Sequence, residues 1–184
     1  MAPLVLTAGA GAGDFPADDL AAMREMVVGY QVSQIVYAAC ELRVIDHIAN
    51  GVHDLAHLAA RTTTPVQSLE LLLDCLAGLG LLHVEGAGRY RLTARGMLLD
   101  SRRPDGLHPA IMATGQHRYG PWGDLLDTLR TGSSAFTRQR GQRLHDFYAA
   151  TPAAAAPFNA AMAALTAQNA TAIAATYPFG STGR

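Results

Sequence analysis

The groups best suited to chemistry in this 184-residue chain are seven histidines, two cysteines and a few aromatic and thioether side chains. His53 and His57 have the i, i+4 spacing that puts two imidazoles on one helix face, as in a zinc-protease motif. A third ligand and the glutamate of the H-E-x-x-H pattern are absent, so the pair reads as surface residues. Cys40 and Cys75 lie on apolar helical segments without metal-ligand spacing, and read as small buried hydrophobes of a cytoplasmic protein. Gly9-Ala10-Gly11-Ala12-Gly13 follows Leu4-Val5-Leu6 much as a nucleotide loop follows a strand. A phosphate loop needs a helix opening at once, because phosphates sit on the free N–H groups of the helix start. Here Asp14-Phe15-Pro16 intervenes, so this segment reads as an arm. No nucleophile has a recognisable base. What remains is Trp122, Phe158 and Met162, the last two four residues apart on one helix face. Such apolar, polarisable groups suit a flat or cationic ligand, and they also build ordinary cores.

The elements that must position these groups are mostly helices. Alanine and leucine are abundant and β-branched residues sparse. Residues 1–17 form a flexible arm. A helix runs from Asp19 to about Cys40, apolar on more than one stripe and so in need of more than one neighbour. Glu41 to Ala49 continues it, and Asn50-Gly51 ends it. Asp54 to Arg61 is a short helix. Thr64-Pro65-Val66-Gln67 has the make-up of a capping box and opens a helix carrying Leu69, Leu72, Leu73 and Leu76. Leu81–Val84 and Arg89–Leu92 form a hairpin, and Thr93 caps a short helix over Ala94–Leu99. Helix, turn, helix, hairpin is the order of a winged helix. Leu107 to His117 and Pro121 to Leu129 are helical, Thr131-Gly132-Ser133-Ser134 is a break, and another short helix lies near Leu144–Ala149. Pro152 opens a long alanine-rich helix to about Thr176, which Tyr177-Pro178-Phe179-Gly180 terminates.

A formal net charge of −1 gives no electrostatic footprint for nucleic acid or an anionic membrane. The outward candidates on the second helix of the winged motif, Gln67, Ser68, Glu70 and Asp74, include two acids and no base, which repels phosphate. No apolar run reaches the ~18 residues of a membrane span, and the N-terminus lacks a basic leader. The partners expected are therefore neither nucleic acid nor membrane.

The stretches Leu58-Ala59-Ala60, Ser68-Leu69-Glu70-Leu71-Leu72-Leu73, Leu79-Gly80-Leu81-Leu82 and Tyr90-Arg91-Leu92-Thr93-Ala94-Arg95-Gly96 resemble the winged-helix part of S-adenosylmethionine-dependent O-methyltransferases of the bacterial natural-product and plant phenolic type. Tyr119-Gly120-Pro121-Trp122-Gly123-Asp124-Leu125-Leu126 and Leu129-Arg130-Thr131-Gly132 resemble that family's tryptophan segment. Thr151-Pro152 with Phe158-Asn159-Ala160-Ala161-Met162 is similar to its last helix before the catalytic domain. The resemblance implies a mainly α dimerisation and substrate-lid domain over residues 18–179, with 180–184 beginning a linker to a Rossmann-like catalytic domain that these residues do not include. It implies a homodimer through helix exchange and an aromatic or polyketide-like substrate. Substrate-wall residues would be Trp122, Phe158, Asn159 and Met162, with His117, Tyr119, Phe147 and Tyr148 as further candidates. Phe158 and Met162 would also wall the S-adenosylmethionine site, and no catalytic residue or metal ligand is expected. Two alternatives share the fold: a stand-alone ligand- or partner-binding dimer, including a repurposed cyclase-like enzyme, and a transcriptional regulator, which the acidic second helix disfavours.

Overall fold

The computed structural model describes residues 17–86 and 88–176. Residues 1–16 of the arm expected over 1–17, the terminator Tyr177–Gly180 and the linker 180–184 lie outside the described residues, and the arm's last residue, Ala17, instead opens a helix. Helix α1 (Ala17–Glu41) leads into α2 (Val44–Ala49), α3 (Leu55–Thr62) and α4 (Val66–Gly78). Strands β1 (Leu82–Val84) and β2 (Tyr90–Leu92) pair antiparallel, with Leu82 opposite Leu92 and Val84 opposite Tyr90. A 3-10 turn (Gly96–Leu99) precedes α5 (His108–Ala113), a π turn (Thr114–Arg118) and α6 (Tyr119–Gly123). Helices α7 (Leu125–Thr131), α8 (Ala135–Arg140), α9 (Leu144–Ala150) and α10 (Pro152–Thr176) complete the described chain.

The core gathers where three apolar faces meet. Leu69, Leu73 and Leu76 of α4 recur at helical spacing and are fully buried against Val44, Ile45 and Leu58. The hairpin closes this core with Leu82 and Tyr90. On its opposite face α4 presents Gln67, Ser68, Glu70 and Asp74 to solvent. Helix α5 links this core to the rest, packing against α1 on one side and α10 on the other.

Several sequence expectations need correction. Helix does not run on from Glu41 to Ala49: Arg43 takes a left-handed conformation (φ 56°), and α2 starts afresh after it. The compensation is the buried Asp46, which accepts from Arg43 Nε at 3.0 Å, from Ser101 N at 3.0 Å and from Ser101 Oγ at 2.8 Å. The capping box is not formed either. Pro65 occupies the cap position, one residue later than expected, and the Thr64 hydroxyl donates to the Thr62 carbonyl at 3.2 Å. Asp54 does cap α3, its carboxylate accepting from His57 N at 3.1 Å. Thr93 caps as expected, with Gly96 N–H on its Oγ1 at 3.0 Å, but only a 3-10 turn follows. The single helix expected over Pro121–Leu129 is broken at Asp124, while helix is continuous from His108 to Gly123 through the π turn. Pro121 lies inside this continuous run, just after the π turn, where its missing N–H removes one backbone donor shortly before the break at Asp124. Helix α8 was not foreseen, because Ala-Phe-Thr-Arg-Gln-Arg shows no apolar period.

Candidate functional site

The π turn sets the geometry. Gly115 lies so close under the Tyr37 ring of α1 that a Cβ would overlap it, and Gln116 Nε2 donates to Glu41 Oε2 at 3.1 Å. With the π turn pinned to α1 in this way, His117 packs edge-on against Phe147, centroids 5.2 Å apart, and against Tyr148 at 6.0 Å. π turns are uncommon and tend to mark functional positions.

From His117 an aromatic cluster spreads across three further helices. Phe136 of α8 meets Phe147 edge-on at 5.6 Å, and Phe147 meets Tyr148 at 5.5 Å. Tyr148 stacks on Phe158 of α10 at 4.5 Å with the planes 16° apart. The Arg140 guanidinium lies over the Phe147 ring, 5.6 Å from its centroid. Aromatic pairs of this kind each contribute about 0.5–1.5 kcal/mol beyond burial; Tyr148–Phe158 ties α9 to α10, and the others tie α9 to the π turn and to α8.

The cluster is electrostatically unusual. Tyr148 is 5% exposed, and its hydroxyl has no hydrogen-bond partner among the described residues; neither has His117 Nδ1. Burial lowers the His117 pKa, and the Arg140 charge lowers it further, so the imidazole is neutral at pH 7. Burial raises the Tyr148 pKa, and the Arg118 charge works against that rise.

Of the residues expected from the sequence, His117 and Phe158 come together through Tyr148, with Phe147 beside them. Asn159 and Met162 are exposed on α10 next to Phe158. Trp122 stands apart from that stack, 64% exposed, lining a cleft of about 270 Å³ with Arg118, Leu125, Phe136 and Leu144. Tyr119 lines a different cleft, about 400 Å³, between α1 and α5 with Tyr37 and Ile111. Sequence reasoning overlooked Phe136 and Arg118. Gly141, which ends α8 at φ 71°, was a readable signal for a helix carrying Phe136; Arg118 sits between two candidates that were named. Among the described residues no three His, Cys, Asp or Glu side chains converge as a metal site, and no helix is long and apolar enough to cross a membrane.

Comparison with known proteins agrees with this architecture. Residues 25–101 match the O-methyltransferase dimerisation domain. A phenazine O-methyltransferase from Lysobacter antibioticus is 32% identical over 155 residues, 84% of this chain and 46% of that protein. The crystal structure of LaPhzM superposes with a TM-score of 0.81 at 30% identity, covering 90% of this chain and 49% of that one. Human N-acetylserotonin methyltransferase, in complex with SAM, superposes with a TM-score of 0.72 at 28% identity, covering 85% and 47%. The chain thus spans less than half the length of the curated relatives it matches, and corresponds to their N-terminal half.

Proposed function

This chain belongs, through residues 25–101, to the O-methyltransferase dimerisation-domain family, and from that premise we propose that it is the dimerisation and substrate-wall part of an S-adenosylmethionine-dependent O-methyltransferase acting on an aromatic or polyketide-like small molecule. The observation that carries the reading is the uncovered face of α1. Met23, Met26, Val27 and Tyr30 are each more than half exposed, whereas Ala39 and Cys40 at the other end of the same helix are buried. So much contiguous apolar surface on a single helix calls for a second body. A second copy of this chain, exchanging α1 across a two-fold axis, covers it twice over.

In such a dimer α10 presents Phe158, Asn159 and Met162 to the substrate with His117 nearby, while Trp122 and Tyr119, also candidates for substrate contact, line two other clefts. The Tyr148–Phe158 stack, 4.5 Å between centroids, fixes the orientation of α10 at this point. Asn159 is exposed and can donate to or accept from a substrate carbonyl or hydroxyl. S-adenosylmethionine, when bound, supplies an electrophilic methyl on a sulfonium. Phe158 and the 38%-exposed Met162 fit one side of that cation, being polarisable and apolar. Their part is to exclude water and hold the acceptor; the 184 residues alone are expected to transfer no methyl group. We place the protein in the cytoplasm, where its two free thiols stay reduced.

The test is the mass in solution. Light scattering at tens of micromolar should return twice the 19.4 kDa of the chain, and Met26→Glu combined with Tyr30→Glu should shift it towards the monomer. A monomer mass for the unmodified chain would overturn the dimer, and methyl transfer by the purified chain would overturn the division of labour.

A further inference from the structure

The cleft between α6 and α8 is apolar on almost every side, with Trp122, Leu125, Phe136 and Leu144 among its walls. Arg118, at the end of the π turn, is the only charged residue lining it among the described residues. Of the other arginines on this part of the chain, Arg143 pairs with Asp146, Arg138 donates to the Ser133 carbonyl and to Thr128 Oγ1 at 3.5 Å, and Arg130 of α7 does not line the cleft. Arg140 lies over Phe147. Arg118 has no carboxylate partner among the described residues. Asp124, the nearest acid in sequence, accepts from Gln139 Nε2 at 2.6 Å. An apolar slot with one uncompensated guanidinium has a definite complement: the walls reward a flat hydrocarbon, and the planar fork of the guanidinium rewards a carboxylate. A neutral ring would bury the rim of a charge without neutralising it, and a cation would be repelled.

We propose that this cleft binds a flat aromatic acid, its carboxylate on Arg118 and its ring against Trp122 and Phe136. A volume of about 270 Å³ sets the size at two or three fused rings. The inference rests on the reading of this half as the wall for an aromatic substrate, and it names the acidic members of that class. Two further polar atoms lie in the same corner of the protein, the buried Tyr148 hydroxyl and His117 Nδ1, and the Arg118 charge acts on Tyr148. The Arg140 guanidinium lies over the same cluster, which adds a second positive charge to this corner.

Titration calorimetry of the chain with naphthalene-2-carboxylate and with naphthalene-2-carboxamide, a neutral molecule of nearly the same shape, tests this. The carboxylate should bind at least tenfold more tightly at low salt, and the difference should shrink as sodium chloride is raised. Arg118→Gln should abolish the preference while sparing the amide. Arg61→Gln, on the exposed surface of α3, should leave the preference intact, and Trp122→Leu should weaken both ligands alike. Equal binding of the two by the unmodified chain overturns the acid specificity and leaves the aromatic wall standing, and a preference that survives Arg118→Gln overturns Arg118 as the carboxylate's partner. Binding of neither overturns the cleft as a ligand site, with the dimer judged separately by its mass. Melting temperatures of the variants, expected within about 2 °C of the parent because both side chains are largely solvent-facing, show that the losses are not unfolding.

Discussion

Replacing Asp46 by alanine should be among the most damaging single changes outside the leucine core. Asp46 is 4% exposed and joins α2 to the chain after the 3-10 turn. Its Oδ1 accepts from Ser101 N at 3.0 Å, and its Oδ2 accepts from Ser101 Oγ at 2.8 Å and from Arg43 at 2.9 and 3.0 Å. The Arg43 side chain is 66% exposed, so solvent screening holds its share below about 1 kcal/mol. The larger loss is at Ser101, where a part-buried N–H and hydroxyl lose their acceptor together, at about 1–3 kcal/mol each. Relief of carboxylate desolvation offsets part of this, which leaves a net cost of about 3 kcal/mol. For a chain of this length that corresponds to a fall in Tm of roughly 6–12 °C. Asp46→Asn keeps an acceptor for the Ser101 N–H and should cost about half as much. Urea unfolding at fixed protein concentration, followed by far-UV circular dichroism, measures both. A double-mutant cycle with Ser101→Ala should give a coupling of at least about 1 kcal/mol. An Asp46→Ala protein within 1 kcal/mol of the parent, or costs that simply add, would refute the assignment of this carboxylate as the tie between α2 and the segment leading to α5.

Three other outcomes are expected. Gly115→Ala drives a methyl into the Tyr37 ring, and Gly96→Ala drives one into the Leu81 carbonyl oxygen; each should destabilise by about 1–3 kcal/mol, and Gly115→Ala should also shift the near-ultraviolet tyrosine signal. Burial lowers the pKa of both His108 and His117 from the ordinary 6.5, so below pH 6.5 the unfolded chain takes up more protons than the folded one. Tm should therefore be flat just above that pH and fall as pH drops from 6.5 towards 5, and a His108→Gln/His117→Gln protein should show a shallower fall. Burial, aided by the Asp46 charge, pushes the Cys40 thiol up to about 12; an aromatic disulfide reagent at pH 8 should modify one thiol per native chain, at Cys75, and both after denaturation.

Much of the fold was readable from one dimension because it depends on local rules. The opening of α10 at Pro152, the Asn50-Gly51 stop and the hairpin all follow from side-chain chemistry within a few residues, whereas the Asp54 cap was read as the first residue of its helix. The apolar excess of α1 could likewise be seen in the sequence, because no single stripe accounts for it. The candidate site was legible only in part. His117, Phe147, Tyr148 and Phe158 stood out as residue types, but their stacking depends on α9 and α10 folding back on the π turn.

The sequence by itself determined where helices begin and end when the deciding group is a neighbour, and which residue types were on hand to meet an aromatic ligand. Only the tertiary structure decided the exceptions. Arg43 is tolerated in a left-handed conformation because Asp46 and Ser101, 55 positions apart, meet in the interior. Gly115 has no local turn to explain it; its reason is a Tyr37 ring from another helix. Trp122 and Phe158, both aromatic and both expected on one wall, lie in different places: Trp122 lines the cleft between α6 and α8, whereas Phe158 of α10 stacks on Tyr148. Arg118 is not conspicuous along the chain. What singles it out is its place on the wall of an otherwise uncharged cleft, beside Trp122 and Phe136, which is a fact about distance and not about order in the sequence.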